Sequence, residues 1–309
     1  MHEHDTLDAL QAIAAYHRSH FSIPVIGITG SNGKTVVKEW LYHLLKDDFI
    51  ICRSPRSFNS QIGVPMSIWQ LRPEHTLAII EAGISSEGEM ERLYQIIQPT
   101  IGVLTNIGEA HSEGFKSRDQ KISEKIKLFR SAEVVVYGSD NLDVRDAMKT
   151  LPAKDSRQSH TKTFDWGLNG EALKLIGIKK SGLVSSIDLQ VDEKKFTLEI
   201  PFTDDASIEN AITCCCVMLL LKYEVGTIAK KMKTLSAVDM IQVLPKKEGL
   251  CVFATRPLRN CVAGNAAPLN PRLMRMLPPL IHPWSSLTAS VNCLYIFPSL
   301  VKTLMVPGM

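Results

Sequence analysis

Gly27-Ile28-Thr29-Gly30-Ser31-Asn32-Gly33-Lys34-Thr35 decides how this chain folds. An apolar strand, Ile23-Pro24-Val25-Ile26 and on to Ile28, leads into the run, and a helix from Val36 to Leu45 leads out of it. Strand, glycine-rich turn, Lys-Thr and helix make a phosphate-binding loop. Glycines let the backbone turn tightly and aim successive N–H groups at an anion. The helix start adds its partial positive charge. Lys34 is placed to reach the β- and γ-phosphates, and the Thr35 hydroxyl to hold a magnesium ion. Gly30, Ser31, Asn32, Gly33, Lys34 and Thr35 are therefore the expected ligands of a nucleoside triphosphate.

Outward from the loop, strands alternate with helices up to about Leu128: strand Leu77–Glu81, helix Glu87–Ile97, strand Ile101–Asn106, helix Ser117–Phe129. Strand Val134–Tyr137 and helix Leu142–Thr150 continue the series. Such alternation predicts an α/β fold, a phosphate-loop-type parallel sheet flanked by helices. Three β-rich runs follow, Lys174–Ile178, Ser185–Val191 and Lys195–Ile200, with turn residues between them. They predict a small antiparallel meander. Helices are expected from Ile208 to about Leu221 and from Thr227 to about Leu235. The first twenty residues read as an amphipathic helix with Leu7, Leu10, Ile13 and Ala14 on one stripe.

Composition narrows the class. The 309 residues are 45% hydrophobic and 22% charged, as in globular proteins. A net charge of +3 gives no argument for nucleic acid. No apolar run reaches the roughly 18 residues that span a membrane, and the N-terminus lacks a signal-peptide pattern. The seven cysteines are odd in number, include the adjacent Cys214, Cys215 and Cys216, and form no C-x-x-C pair. That fits a reducing cytoplasm rather than a disulfide framework or a zinc site.

Glu81 ends a strand, where an open parallel sheet places its ligands. A carboxylate there is expected to take magnesium together with Thr35. The run Thr105-Asn106-Ile107-Gly108-Glu109-Ala110-His111-Ser112-Glu113-Gly114-Phe115 also lies just past a strand. Lys125, in Glu124-Lys125-Ile126-Lys127-Leu128-Phe129, would by itself read as a solvated helix lysine. Arg56-Ser57-Phe58-Asn59-Ser60-Gln61-Ile62-Gly63-Val64-Pro65 reads as a polar loop whose path is fixed by Gly63 and Pro65.

The spacing G-x-x-G-x-x-G-K-T, with Ile28 where the strict pattern has glycine, resembles the loop of the Mur ligase family, ATP-dependent amide ligases of bacterial cell-wall synthesis. The resemblance covers about residues 20 to 245. It implies that His111 binds a second magnesium ion as a neutral imidazole and that Asn106 lies near the nucleotide or the acyl phosphate. Lys125, fourteen residues after His111, would be carbamylated and help hold magnesium, with Lys127 as the rival. Lys34, Lys125 and His111 would carry the catalysis. Asn59 and Ser60 would lie along the substrate. Asn210, in Ile208-Glu209-Asn210-Ala211, would read adenine with its amide.

Ile26 to Trp40 and Ile200 to Asn210 are similar to the branch that joins D-alanyl-D-alanine to UDP-N-acetylmuramoyl-tripeptide, in the form fused to an alanine racemase. A folylpolyglutamate synthase-like ligase and a non-catalytic nucleotide-binding remnant are the alternatives. The organisation expected is a helix or linker remnant at 1–22, the central ATP-binding domain at 23–248 and a tail at 249–309. That tail has no Asp or Glu and half of the sixteen prolines. It reads as a basic proline-rich tail, a partner-binding segment, or out-of-frame, non-native translation. The family's substrate domain ahead of residue 1, its ribose-binding aspartate after residue 250 and its closing domain are not legible in the sequence.

Overall fold

The structure, a computed structural model, describes residues 3–108, 114–151 and 161–238. The tail expected at 249–309 lies outside them, as do Cys251, Cys261 and Cys293.

Helix α1 (Glu3–Ser19) precedes β1 (Val25–Thr29), and α2 (Lys34–Leu45) follows across the glycine turn. Then come β2 (Ile51–Arg53), α3 (Gly63–Ile68), β3 (Leu77–Glu81), α4 (Glu89–Ile97), β4 (Ile101–Leu104), α5 (Arg118–Ile126) and β5 (Val134–Gly138). The chain continues through α6 (Leu142–Met148), β6 (Lys162–Gly167), β7 (Leu173–Ser181), β8 (Val184–Val191), β9 (Lys194–Ile200), α7 (Asp205–Leu220) and α8 (Val225–Met232). All nine strands form one sheet in the order β2-β3-β1-β4-β5-β6-β7-β8-β9. Pairings from β2 across to β7 are parallel, and β7-β8-β9 are antiparallel. The expected meander is present, as a continuation of the parallel sheet.

Strands β1 and β3 are buried along their whole length, as their unbroken apolar runs require in a sheet covered on both faces. Alternate residues feed two cores. Ile26, Ile28, Leu77 and Ile79 pack toward α2, α7 and α8. Val25, Ala78 and Ile80 pack toward the helices of the opposite face. The three adjacent cysteines sit in α7, buried and unpaired with one another. In that helix they serve as small apolar residues, and burial raises all three thiols above their ordinary value.

Several expectations are corrected. The buried stripe of α1 is Gln11, Ala14 and Arg18, spaced three and four apart, while Ile13 is 52% exposed. Gln11 reaches across to Gln61. Arg18 donates to the carbonyls of Ile97 and Gln98 at the end of α4. A polar side chain with partners outcompetes an apolar one for the inner face. Ile23 and Pro24 stand before β1, whose pairing begins at Val25, and α2 begins at Lys34 rather than Val36. The Asn59–Pro65 segment is only half a loop: α3 starts at Gly63. Pro65 fits its first turn because no N–H is needed there. Strand β6 was not legible, because three of the four residues Lys162-Thr163-Phe164-Asp165 are polar. It is recruited by β5, which it pairs in register from Val134↔Lys162 to Gly138↔Trp166.

Candidate active site around the glycine-rich loop

Strand β1 lies between β3 and β4; α2, which leaves β1, covers one face of the sheet, and α4, which leads from β3 to β4, covers the other, so a crevice opens at the strands' carboxyl ends. Three segments meet there: the loop after β1, Glu81 closing β3, and Thr105-Asn106 just past β4.

The loop is built on two glycines that no other residue could replace without strain. Gly33, the residue before α2, has φ +81°, and an added Cβ would lie 2.4 Å from the Asn210 Oδ1. Gly30 has φ +146°, and its Cβ would lie 2.0 Å from the Thr105 hydroxyl. Both close approaches lock the loop against its neighbours. Asn106 does so as well. Its carbonyl accepts from the Ser31 N–H at 2.8 Å and its side-chain oxygen accepts from the Asn32 N–H at 3.0 Å. Two of the loop amides expected to face an anion are thus committed to Asn106. The cradle falls instead to the first turn of α2, whose N–H groups have no acceptor inside the helix.

Lys34 curls over the loop and donates to the Gly30 and Ser31 carbonyls, each at 3.0 Å. Lys125, 2% exposed on α5, donates to the same Gly30 carbonyl at 3.0 Å. Two ammonium groups on one oxygen lie within about 6 Å of each other and repel by roughly 3 kcal/mol at a dielectric near 20. Burial lowers the Lys125 amine to about 7, and the charges of Lys34 and Lys121 add to the effect. Lys34 is lowered too, chiefly by burial, with Glu81 opposing. An anion between these amines would relieve both the repulsion and the desolvation. Lys127, the rival position, turns away to pair with Glu124.

Glu81 is the second centre. It is 1% exposed, and its backbone N–H donates to the Ser54 hydroxyl at 3.0 Å. Its carboxylate accepts from the Thr35 hydroxyl at 3.1 and 3.0 Å and from the Asn59 amide at 2.7 Å. Lys38, wholly buried one turn beyond Lys34, stands 3.5 Å away and 3.3 Å from Glu39. It also donates to the carbonyl of Arg56, a residue held at φ +48°. These are hard oxygen donors beside a lysine that already holds a cationic charge against the carboxylate. Hydroxyl plus one carboxylate, with room for water and phosphate oxygens, suits magnesium. Thr35 and Glu81 are the residues that would hold it. His111 lies outside the described residues. Among the described residues no group of three His, Cys, Asp or Glu is gathered for a metal.

Cavities flank the loop on both sides. One, of about 560 Å³, is lined by Asn32, Asn106 and Gly108 at the loop end and by Val144, Trp166, Ile208 and Glu209 farther out. Its apolar walls, with Asn106, Asn141, Asp140 and Glu209 among them, offer both the contact surface and the polar partners that a base and a sugar need. The other, of about 350 Å³, is lined by Lys34, Lys125, Asn59, Ser60, Gln61 and Gly83. The structure thus brings together every described residue expected at the site. Asn59 faces Glu81, and Ser60 faces the smaller cavity while its hydroxyl accepts from the Gly63 N–H at 3.2 Å. Asn210 is packed on Gly33. Lys38, Lys121 and Glu209 were missed. Lys38 and Lys121 sit four residues from Lys34 and Lys125, a helical spacing that would have placed them on the same faces.

Loop, sheet order and flanking helices define a phosphate-loop α/β protein. The chain belongs to the Mur ligase family: the Mur ligase middle domain matches residues 28–218. Over 167 residues it is 43% identical to the UDP-N-acetylmuramoyl-tripeptide–D-alanyl-D-alanine ligase of Synechocystis, covering 54% of this chain and 36% of that protein. Over 202 residues it is 31% identical to the ligase of the same name from Rickettsia prowazekii, covering 64% and 44%. MurF from Acinetobacter baumannii superposes with a TM-score of 0.66 at 26% identity, over 75% of this chain and 51% of that one. MurF from Thermotoga maritima, solved in complex with ADP, gives 0.65 at 26% identity, over 75% and 53%. The chain spans about half or less of the length of these relatives. Among the described residues no helix is long and apolar enough to cross a membrane.

Proposed function

We propose that the chain supplies the nucleotide- and magnesium-binding centre of a cytoplasmic, ATP-dependent amide ligase of cell-wall precursor synthesis. Its substrates would be UDP-N-acetylmuramoyl-tripeptide and D-alanyl-D-alanine, the pair in the names of its relatives. The carrying observation is the position of Lys34 and Lys125, a half-buried and a buried amine on one loop carbonyl, lining the cavity bounded by Asn59 and Ser60, with a cavity fit for a nucleoside at the other end of the loop. A phosphoryl group entering the smaller cavity would meet both amines.

In this reading the tripeptide carboxylate attacks the γ-phosphoryl group of ATP and ADP leaves; the dipeptide amine, giving up a proton, then attacks the acyl carbon and inorganic phosphate leaves. Lys34 and the first-turn amides of α2 stabilise charge on the transferring group. Magnesium on Thr35 and Glu81, when bound, neutralises phosphate charge. Lys125 fits the carbamate role because a buried amine that loses its proton at about 7 is free to react with carbon dioxide. The anion so formed would replace one of two repelling cations. His111 is assigned to the second magnesium ion on the resemblance alone. Asn106 braces the loop from the nucleotide side. Adenine would occupy the larger cavity, with Asn210 behind the loop. In the complete protein, fusion to an alanine racemase is part of the same proposal.

The test is release of phosphate from ATP and magnesium, with and without the UDP-tripeptide and D-alanyl-D-alanine. Phosphate release that requires both, with a ligated product seen by mass, supports the reading. Release that responds to a folate and glutamate instead moves the chain to the folylpolyglutamate branch. Loss of ATP binding in Lys34→Ala is expected in either case.

A further inference from the structure

Both oxygens of the buried Glu81 carboxylate are engaged. Oε1 accepts from Asn59 and Thr35; Oε2 accepts from Thr35 and stands 3.5 Å from the Lys38 ammonium. Lys38 is 0% exposed and is held from three sides, by Glu81, by Glu39 at 3.3 Å and by the Arg56 carbonyl. Its three protons match those three acceptors, so its charge is fixed in place. Glu39 pairs in turn with Arg53 at 3.1 Å. The row Glu81, Lys38, Glu39, Arg53 alternates in sign and sums to zero. A buried ion pair adds little to stability compared with apolar residues of the same volume. Its consequence here is electrostatic. Lys38 offsets the one carboxylate that meets Thr35, and Lys34, one turn earlier on α2, also feels the Glu81 charge. A free divalent cation would therefore meet one negative charge flanked by two positive ones. Among the described residues no group of three His, Cys, Asp or Glu makes up the shortfall. Magnesium takes about six oxygen ligands. Nucleotide phosphates bring both the missing oxygens and the missing negative charge.

We propose that Lys38 is a resident counter-cation that closes the Thr35–Glu81 centre to a free divalent ion, so that the metal enters only as its nucleotide complex. This rests on the reading that Thr35 and Glu81 hold the nucleotide's magnesium. Lys38 lines neither cavity; it acts through Glu81.

The experiment titrates manganese, a paramagnetic stand-in for magnesium, into the 309-residue chain and its variants with and without ADP, read by water-proton relaxation. Thermal melting is the control for folding. Without nucleotide, Glu81→Gln is expected to leave manganese affinity within about twofold of the parent, because the parent centre is closed. With ADP the same change should weaken manganese binding about tenfold or more, since a hard ligand is lost. Lys38→Gln and Lys38→Met should each gain a manganese site without nucleotide, about tenfold or more tighter than the parent binds, as removal of a unit charge beside a divalent ion requires. Adding Glu81→Gln should remove the gained site, and Lys38→Arg, which keeps the charge, should gain none. A merely structural lysine would yield no gain of binding. A Glu81-dependent manganese site in the parent without nucleotide overturns the proposal, and so do folded Lys38→Gln and Lys38→Met chains that lack one. If neither neutral variant folds, the parent decides: a Glu81-dependent site seen with ADP and absent without it supports the proposal. The ADP arm separates the two levels. If Glu81→Gln binds manganese with ADP as the parent does, the metal reading of Glu81 falls first and the proposal with it. If that arm holds and the neutral variants gain no site, only the role of Lys38 falls.

Discussion

At the scale of single residues, the site is a balance between buried cations and one buried carboxylate. Glu81 holds Thr35, Asn59 and Lys38 at once. Glu81→Ala is expected to abolish the magnesium dependence of ATP binding. A titration of ATP against rising magnesium that is unchanged from the parent would remove Glu81 from the metal site. Lys125 gives a pH signature. In the unfolded chain its amine keeps its proton up to about 10.5, while in the fold it releases it at about 7. Between these values the unfolded chain binds a proton that the folded chain lacks, so stability rises with pH across the window. Below it, the folded chain carries the whole cost of the buried charge. Lys125→Met cannot ionise. It should therefore be more stable than the parent near about pH 6, with the advantage shrinking as pH climbs through the window. Urea unfolding in carbon dioxide-free buffer measures this, and an advantage independent of pH would contradict it.

At the scale of elements, contacts between distant segments fix the loop. Gly33→Ala should cost about 1–3 kcal/mol from its left-handed backbone, plus the clash with Asn210. The double variant Gly33→Ala/Asn210→Ala should recover the second part and not the first. Additive losses in a double-mutant cycle would show that the two do not touch. Arg18 closes α4 from α1, and Arg18→Met should lower stability by about 2–3 kcal/mol by leaving the Ile97 and Gln98 carbonyls without their donor. Chemical denaturation checks it, and a change within error would assign the cap to solvent. These contacts were beyond sequence reading for a physical reason. Glycine, lysine and threonine of a phosphate loop must be neighbours in the chain, so their chemistry is written locally. Arg18 on Ile97, Lys38 on Glu81 and Asn106 on Ser31 join residues tens of positions apart, and each alone reads as a solvated polar side chain. Gln11 and Arg18 displaced Ile13 from the inner face of α1 in the same way.

At the scale of the whole molecule, the alternation of strands and helices made the parallel sheet and its flanking helices legible. The order β3-β1-β4 was not, yet it brings the loop, Glu81 and Asn106 together. Nor did the β-rich runs reveal that they extend the same sheet. β8 and β9 contribute Ile187, Leu189, Leu198 and Ile200 to the core that contains Ile26 and Ile28 of β1. Ile187→Ala should therefore cost about 3 kcal/mol and weaken hydrogen-exchange protection in β1 and β4 together with β8. Protection lost in β7–β9 alone would mean that the antiparallel part unfolds independently. The central claim is that this sheet carries a working phosphate loop between two cavities. Calorimetric titration of the 309-residue chain and of Lys34→Ala with ATP and magnesium tests it most directly. Binding by the parent and its loss in a Lys34→Ala variant of unchanged melting temperature is the predicted result, and equal ATP affinity in the two proteins would contradict it.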